Sequence, residues 1–228
     1  MKKFLCIIAI LFVSSAQASV VIGGTRLIFN GANKVATITV ENKDKVTNIV
    51  QSWITSLEPT SAKQNLFVAT PPLFKLKASE QGTVRIVRTG GTLPEDRESM
   101  FWLNVKGIPA SENIADKNVV QFAINSRIKL IYRPSSLQDA NVEDYASKLQ
   151  WSQDGDGVKV NNTSPMYLSF SKVTVDGKDV SGSWFVAPFS TLRIPVLGAS
   201  KRLGNRAVIW SVINDYGMSG KKYTGSTG

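Results

Sequence analysis

Val119-Val120-Gln121-Phe122-Ala123-Ile124-Asn125-Ser126-Arg127-Ile128-Lys129-Leu130-Ile131-Tyr132-Arg133 is the stretch whose pattern decides the fold. Val120, Phe122, Ile124, Ser126, Ile128 and Leu130 share one parity. Gln121, Asn125, Arg127 and Lys129 share the other, with Val119, Ala123 and Ile131 among them. Successive side chains of a β-strand point to opposite faces, so this alternation predicts a strand with one apolar and one mostly polar edge. Taken as one strand, Val119 to Arg133 spans roughly 50 Å, whereas a usual strand has about five or six residues. The plain reading is a sandwich strand with one face in a core. Its length asks for more. A strand that outruns its sheet exposes backbone donors and acceptors beside apolar side chains, a hazard unless a partner covers them. Addition of a foreign strand to such an edge is a recognition mode: backbone hydrogen bonds supply affinity, and alternate side chains supply specificity.

Outward from this stretch, the chain is a series of short alternating segments. Pro134 ends the long strand, because proline has no N–H for a ladder. Ser135 to Ala140 reads as a linker, and Asn141 to Leu149 as a short helix with Val142, Tyr145 and Leu149 on one face. Upstream, Ala36, Ile38 and Val40 alternate with Thr37 and Thr39, and Val46 to Ile54 carries Ile49 and Trp53. Val84 and Ile86 flank Arg85, and Phe101, Leu103 and Val105 alternate with Trp102 and Asn104. Downstream strands are expected at Gly157–Val160, Met166–Val175, Ser190–Val196 and Arg206–Ile213, with Asp176-Gly177 as a hairpin turn. About seven strands per half predict an all-β chain of two immunoglobulin-like β-sandwich domains. The Cys…Trp…Cys spacing of antibody domains is missing, so that inference rests on strand number and alternation. One large β-barrel is the alternative, and the proline and linker near residue 134 disfavour it.

The N-terminus reads as an export signal: Lys2 and Lys3, the apolar run Phe4 to Val13, then Ala16-Gln17-Ala18 as a cleavage site. The run is shorter than the roughly 18–20 apolar residues that span a bilayer, so no membrane insertion is expected. The expected division is a signal peptide at 1–18, a first sandwich at 19–137 that includes the long strand, and a second at 138–228. Cys6, the only cysteine, lies in the signal. The remaining chain of roughly 210 residues is long enough for two cores without disulfides. Cysteine-free export suits a bacterial periplasm, and the Asn161-Asn162-Thr163 sequon then carries no meaning.

The formal charge is +10, or about +8 without Lys2 and Lys3. A basic chain favours acidic partners, but nucleic acid is a poor match for an exported one. The chain has no histidine, which removes the commonest general base and imidazole metal ligands. No phosphate-binding or dinucleotide-binding glycine motif is present. Carboxylate catalysis remains open, a non-enzymatic role is expected, and no cofactor or metal is implied. An exported adhesin or carbohydrate-binding module would need an exposed aromatic platform, whereas Trp53, Trp102, Trp151, Trp184 and Trp210 are scattered.

Several motifs in order carry a specific resemblance: Thr25-Arg26-Leu27-Ile28-Phe29, Thr70-Pro71-Pro72-Leu73-Phe74, Leu93-Pro94-Glu95-Asp96-Arg97-Glu98-Ser99-Met100-Phe101-Trp102, Ile128-Lys129-Leu130-Ile131-Tyr132-Arg133-Pro134 and Asn214-Asp215-Tyr216-Gly217. In these the chain resembles the periplasmic pilus (fimbrial) chaperones of the chaperone-usher pathway. The short stretch Gly107 to Asn118 and the lack of a cysteine pair resemble the family's short-loop branch. The resemblance implies two immunoglobulin-like domains arranged as an L around a cleft. It implies that Arg26 and Lys129 anchor a subunit's C-terminal carboxylate, and that Val120, Phe122 and Ile124 of the donor strand fill the subunit's groove. Glu98, Arg133 and Asp215 match an interdomain charge network. Pilin subunits and an outer-membrane usher are the implied partners. Self-association of the free protein and a cis bond at Thr70-Pro71 are questions that the residues leave open.

Overall fold

The computed structural model describes residues 20–57, 66–110, 120–196 and 205–228. The expected export signal lies outside the described residues. The first unit contains β1 (Val20–Ile22), β2 (Arg26–Asn30), β3 (Val35–Asn42), β4 (Asn48–Ser56), β5 (Phe67–Thr70), β6 (Leu73–Leu76), β7 (Gln81–Arg88), β8 (Ser99–Pro109) and β9 (Ile124–Arg133). One sheet runs β1-β3-β7-β5 and the other β2-β9-β8-β4-β6. The chain changes sheet between β1, which pairs antiparallel with β3, and β2, which pairs parallel with β9. Alternation drives the packing: Ile38 and Val40 are buried while Thr37 and Thr39 face outward. Phe29, Val40, Val50, Val84, Ile86, Leu103, Leu130 and Tyr132 fill the space between the sheets. Phe67 lies edge-on to both Phe29 and Phe101, at 5.1 Å between ring centroids in each case. The Thr70–Pro71 peptide is cis.

The second unit contains helix α1 (Val142–Ala146), then β10 (Gln150–Asp154), β11 (Gly157–Asn162), β12 (Leu168–Val175), β13 (Lys178–Asp179), β14 (Phe185–Val186), β15 (Ser190–Pro195), β16 (Ala207–Ile213) and β17 (Ser219–Ser226). Its sheets run β10-β11-β15 and β13-β12-β16-β17, with β14 also on β12. Trp151, Val158, Val160, Met166, Leu168, Ile194, Val208, Trp210 and Val212 form a separate core. The Asn141 side chain caps α1 by accepting from Glu143 N at 3.0 Å. Val142 and Leu149 are buried and Tyr145 is packed against the core. Asp176 and Gly177 both have positive φ, 50° and 75°, as the hairpin turn between Val175 and Lys178 requires. Both units tie a strand end with one buried asparagine. Asn42 Nδ2 donates to Val46 O at 2.8 Å and its Oδ1 accepts from Asp44 N at 3.0 Å. Asn162 does the same with Met166 O at 2.8 Å and Ser164 N at 3.0 Å. Among the described residues there are more strands than the roughly seven per half expected, because β1, β13 and β14 are too short to show alternation.

Three expectations need correction. Val119 lies outside the described residues, and the long strand does not run unbroken from Val120: β9 begins at Ile124, and Val120–Ala123 belong to no strand. Its partner β8 matches Gly107 to Ile124, and the same register would bring Pro109, which has no N–H, against Phe122. Second, β8 continues to Pro109, so Gly107–Pro109 are strand rather than loop, and β4 starts at Asn48 rather than Val46. Third, the expected linker contains a 3-10 turn at Ser135–Leu137.

Candidate functional site

The site is built on β9. On one side β8 pairs with Ile124 through Tyr132. On the other, β2 pairs only with Lys129 through Arg133. Among the described residues nothing pairs with Ile124–Ile128 on that second side, so an open slot lies in line with β2 and ends at its first residue. Val120, Phe122 and Ile124 beside this slot are 78%, 74% and 46% exposed. Beyond the slot the alternation of burial stops: every residue from Ile128 to Arg133 is buried. Ile128, Leu130 and Tyr132 enter the first core. Lys129 and Arg133, on the opposite face, meet the second unit.

Arg26 and Lys129 stand side by side at the closed end of the slot, as directly paired residues of the parallel ladder. They are 7% and 9% exposed. Lys129 Nζ donates to Ser169 Oγ at 2.7 Å and lies 4.6 Å from the centre of the Phe185 ring. Arg26 Nη1 donates to Ile213 O at 3.1 Å, while its buried Nε has no hydrogen-bond partner. No carboxylate among the described residues forms an ion pair with either cation. Burial pushes the Lys129 ammonium down to about 8, with the Arg26 charge adding to the shift. Burial also lowers Arg26, opposed by the charges of Asp215 and Glu98. Two buried like charges without an ion-paired anion are costly, and an incoming carboxylate would relieve that cost through charge-assisted hydrogen bonds.

Arg133 joins the two units. Its Nε donates to Glu98 Oε1 at 2.8 Å, and Nη1 and Nη2 grip Asp215 at 2.6 and 2.8 Å. Nη1 also reaches Ala140 O at 3.3 Å. Glu98 Oε2 accepts from Tyr167 N at 2.7 Å, and Glu98 N donates to Pro165 O at 2.9 Å. Burial raises the Glu98 pKa, against the pull of Arg133 and the Tyr167 N–H. Burial would lower Arg133, but the hydrogen bonds to Asp215 and the Glu98 charge outweigh it, and the net direction is up.

The structure thus brings Arg26 and Lys129 together, sets Val120, Phe122 and Ile124 along one exposed segment, and links Glu98, Arg133 and Asp215. Sequence reading missed Ser169, Phe185, Ile213 and Tyr167, which complete these clusters from the second unit. No spacing signal points to them, because their roles come from contacts between units.

Two β-sandwiches, joined by buried charges beside an open strand slot that ends on a cation pair, define a strand-binding class of protein. Residues 19–138 match the model of the pili and flagellar-assembly chaperone PapD N-terminal domain, and residues 144–224 that of the pili assembly chaperone PapD C-terminal domain. The chain is 37% identical over 221 residues to chaperone protein LpfB of Salmonella typhimurium, covering 96% of this chain and 93% of the relative. It is 34% identical over 226 residues to chaperone protein FimC of Escherichia coli K12, covering 97% and 90%. Among solved structures it resembles the E. coli chaperone DraB, with a TM-score of 0.79, 38% identity and coverage of 92% and 97%. It also resembles a chain in the complex of Salmonella enterica SafA pilin with the SafB chaperone, with a TM-score of 0.81, 33% identity and coverage of 93% and 98%. The chain belongs to the pilus-assembly chaperone family of the chaperone-usher pathway.

Proposed function

We propose that this chaperone receives pilin (fimbrial) subunits in the periplasm by completing them with its own strand and passes them to the outer-membrane usher. The observation that carries this reading is the pair of buried cations, neither ion-paired among the described residues, at the closed end of the slot. A strand entering in line with β2 and running parallel to β9 presents its C-terminal carboxylate at Arg26 and Lys129. An antiparallel strand would present its N-terminal ammonium there, against two like charges. The carboxylate therefore sets both direction and register, and Val120, Phe122 and Ile124 fill the subunit's groove. Burying each apolar side chain contributes about 1.5–3 kcal/mol, before ordering costs. Glu98, Arg133 and Asp215 hold the two sandwiches at the angle that keeps the slot accessible. In this reading the signal occupies 1–18, the domains are 19–137 and 138–228, and the protein binds without turnover. The related chaperone SafB is found in complex with the SafA pilin, which supports a pilin rather than a carbohydrate as the partner.

The test is subunit capture in the periplasm, followed by co-purification with Arg26→Ala and Phe122→Asp variants. Capture should fall at least about tenfold in each, as expected for loss of a charge-assisted contact or an apolar anchor. Parental capture by both variants would overturn the reading.

A further inference from the structure

Arg127 is two residues before Lys129 in β9 and points to the same face, toward the second unit. Its guanidinium lies 4.5 Å from the centre of the Trp102 ring of β8, so the exposed side chain is held over the sheet on the side of β9 away from the slot. Among the described residues no carboxylate forms an ion pair with Arg127. Nor does any strand position on this face of the sheet carry one: Arg26, Lys75, Lys106, Arg127 and Lys129 are unbalanced there. Arg133, the other cation of the face, has its own two acids. Neighbouring Asn125 and Asn104 add polar groups, Asn125 Nδ2 donating to Asn104 Oδ1 at 3.4 Å. A strand in the slot would turn every second side chain toward this cationic row.

We propose that Arg127, propped on Trp102, is a specificity-determining residue that selects incoming strands carrying an acidic side chain beside it on the cleft-facing parity. This rests on the reading that a parallel strand enters beside β9. The Trp102 ring makes the site selective rather than merely basic. Stacking restricts a long flexible side chain without neutralising it, so the guanidinium keeps its charge for a carboxylate that reaches over β9 from the slot. A lysine or arginine side chain at the same place in the incoming strand would meet repulsion from Arg127 and Lys129 together.

The test uses the full mature protein and synthetic peptides of alternating apolar residues with a free C-terminal carboxylate. Glutamate, glutamine or lysine is placed in turn at each of the last six positions, and binding is followed by fluorescence anisotropy. Glutamate should bind about fivefold more tightly than lysine at a position of one parity and not at its neighbours. Arg127→Gln should weaken that preference at that position and Arg127→Glu should weaken it further, with unchanged thermal unfolding. Equal weakening of all peptides by Arg127→Gln, or no charge preference in the parent, overturns the proposal. C-terminal amidation separates the two readings. If amidation weakens binding but the internal charge has no effect, the carboxylate anchor stands and the role of Arg127 falls. If no free-acid peptide binds, or if amidation changes nothing, the anchor reading falls, and the proposal falls with it.

Discussion

Arg26 and Lys129 face each other across the parallel β2–β9 ladder, both less than a tenth exposed, and neither has an ion-pair partner among the described residues. Ordinarily a buried cation is matched by a carboxylate. Here the unmatched pair sits where a chain would end if it continued the line of β2. The free protein therefore holds an unfavourable arrangement, one that an incoming carboxylate would relieve under the proposed function.

Lys129→Met keeps most of the side-chain volume and removes the charge. It should stabilise the free protein by about 1–2 kcal/mol, after the lost hydrogen bond to Ser169, while subunit capture collapses. Urea unfolding and capture, measured on the same preparation, check both halves. A clear loss of stability would argue that Lys129 serves the fold rather than a ligand.

The pH dependence follows from the lowered Lys129 pKa of about 8, against an ordinary value of 10.5. Below pH 8 the ammonium is charged in both folded and unfolded chains, and the full desolvation cost applies. Between pH 8 and 10.5 the unfolded chain holds more protons, so this group's contribution to stability improves as pH rises. Carboxylate binding runs the other way, because it needs the ammonium. Affinity for a carboxylate-ended peptide should therefore fall as pH rises past 8, and the fall should vanish in Lys129→Met. Titration calorimetry of the parent and variant measures it.

Breaking the interdomain network should be expensive. Arg133→Met leaves the fully buried Glu98 carboxylate without its cation and frees Asp215, at a cost of about 3–5 kcal/mol. Adding Glu98→Gln should recover part of the loss, since the orphaned charge is gone. Chemical denaturation of the two single variants and the double variant gives the coupling; strictly additive losses would show that the residues act separately.

Gly217 lies in the turn between β16 and β17 with φ of +82°, and a Cβ there would stand 2.3 Å from Thr25 Oγ1, just ahead of β2. Gly217→Ala combines a disfavoured backbone conformation with a clash between the two units. A loss of about 1–3 kcal/mol is expected, together with weaker capture, because the displaced turn also carries Asp215. A melting temperature equal to the parent would contradict the close approach.

Much of the strand content was legible because alternation is local. Ile38, Val40, Val84 and Ile86 declare their buried face without reference to any partner. So did the Asp176-Gly177 turn and the apolar face of α1. The upstream limit of the long strand was not legible: Val120 and Phe122 alternate as well as Ile128 and Leu130 do, and only the register that would set Pro109 against Phe122 ends the ladder. The unit repeat was hidden too, because Asn42 and Asn162 perform the same capping with different neighbours around them.

From the residues alone came the segments, their apolar parity, and the ordered motifs that name Arg26, Lys129, Glu98, Arg133 and Asp215. Side-chain period and turn chemistry act over a few neighbouring residues, and a linear pattern records them. Tertiary structure decided that β2 lies parallel to β9, that it stops short of Ile124–Ile128, and that the second sandwich covers Lys129 with Ser169 and Phe185. Those facts arise between segments far apart in the chain. They turn two ordinary surface cations into a buried pair with no ion-pair partner among the described residues.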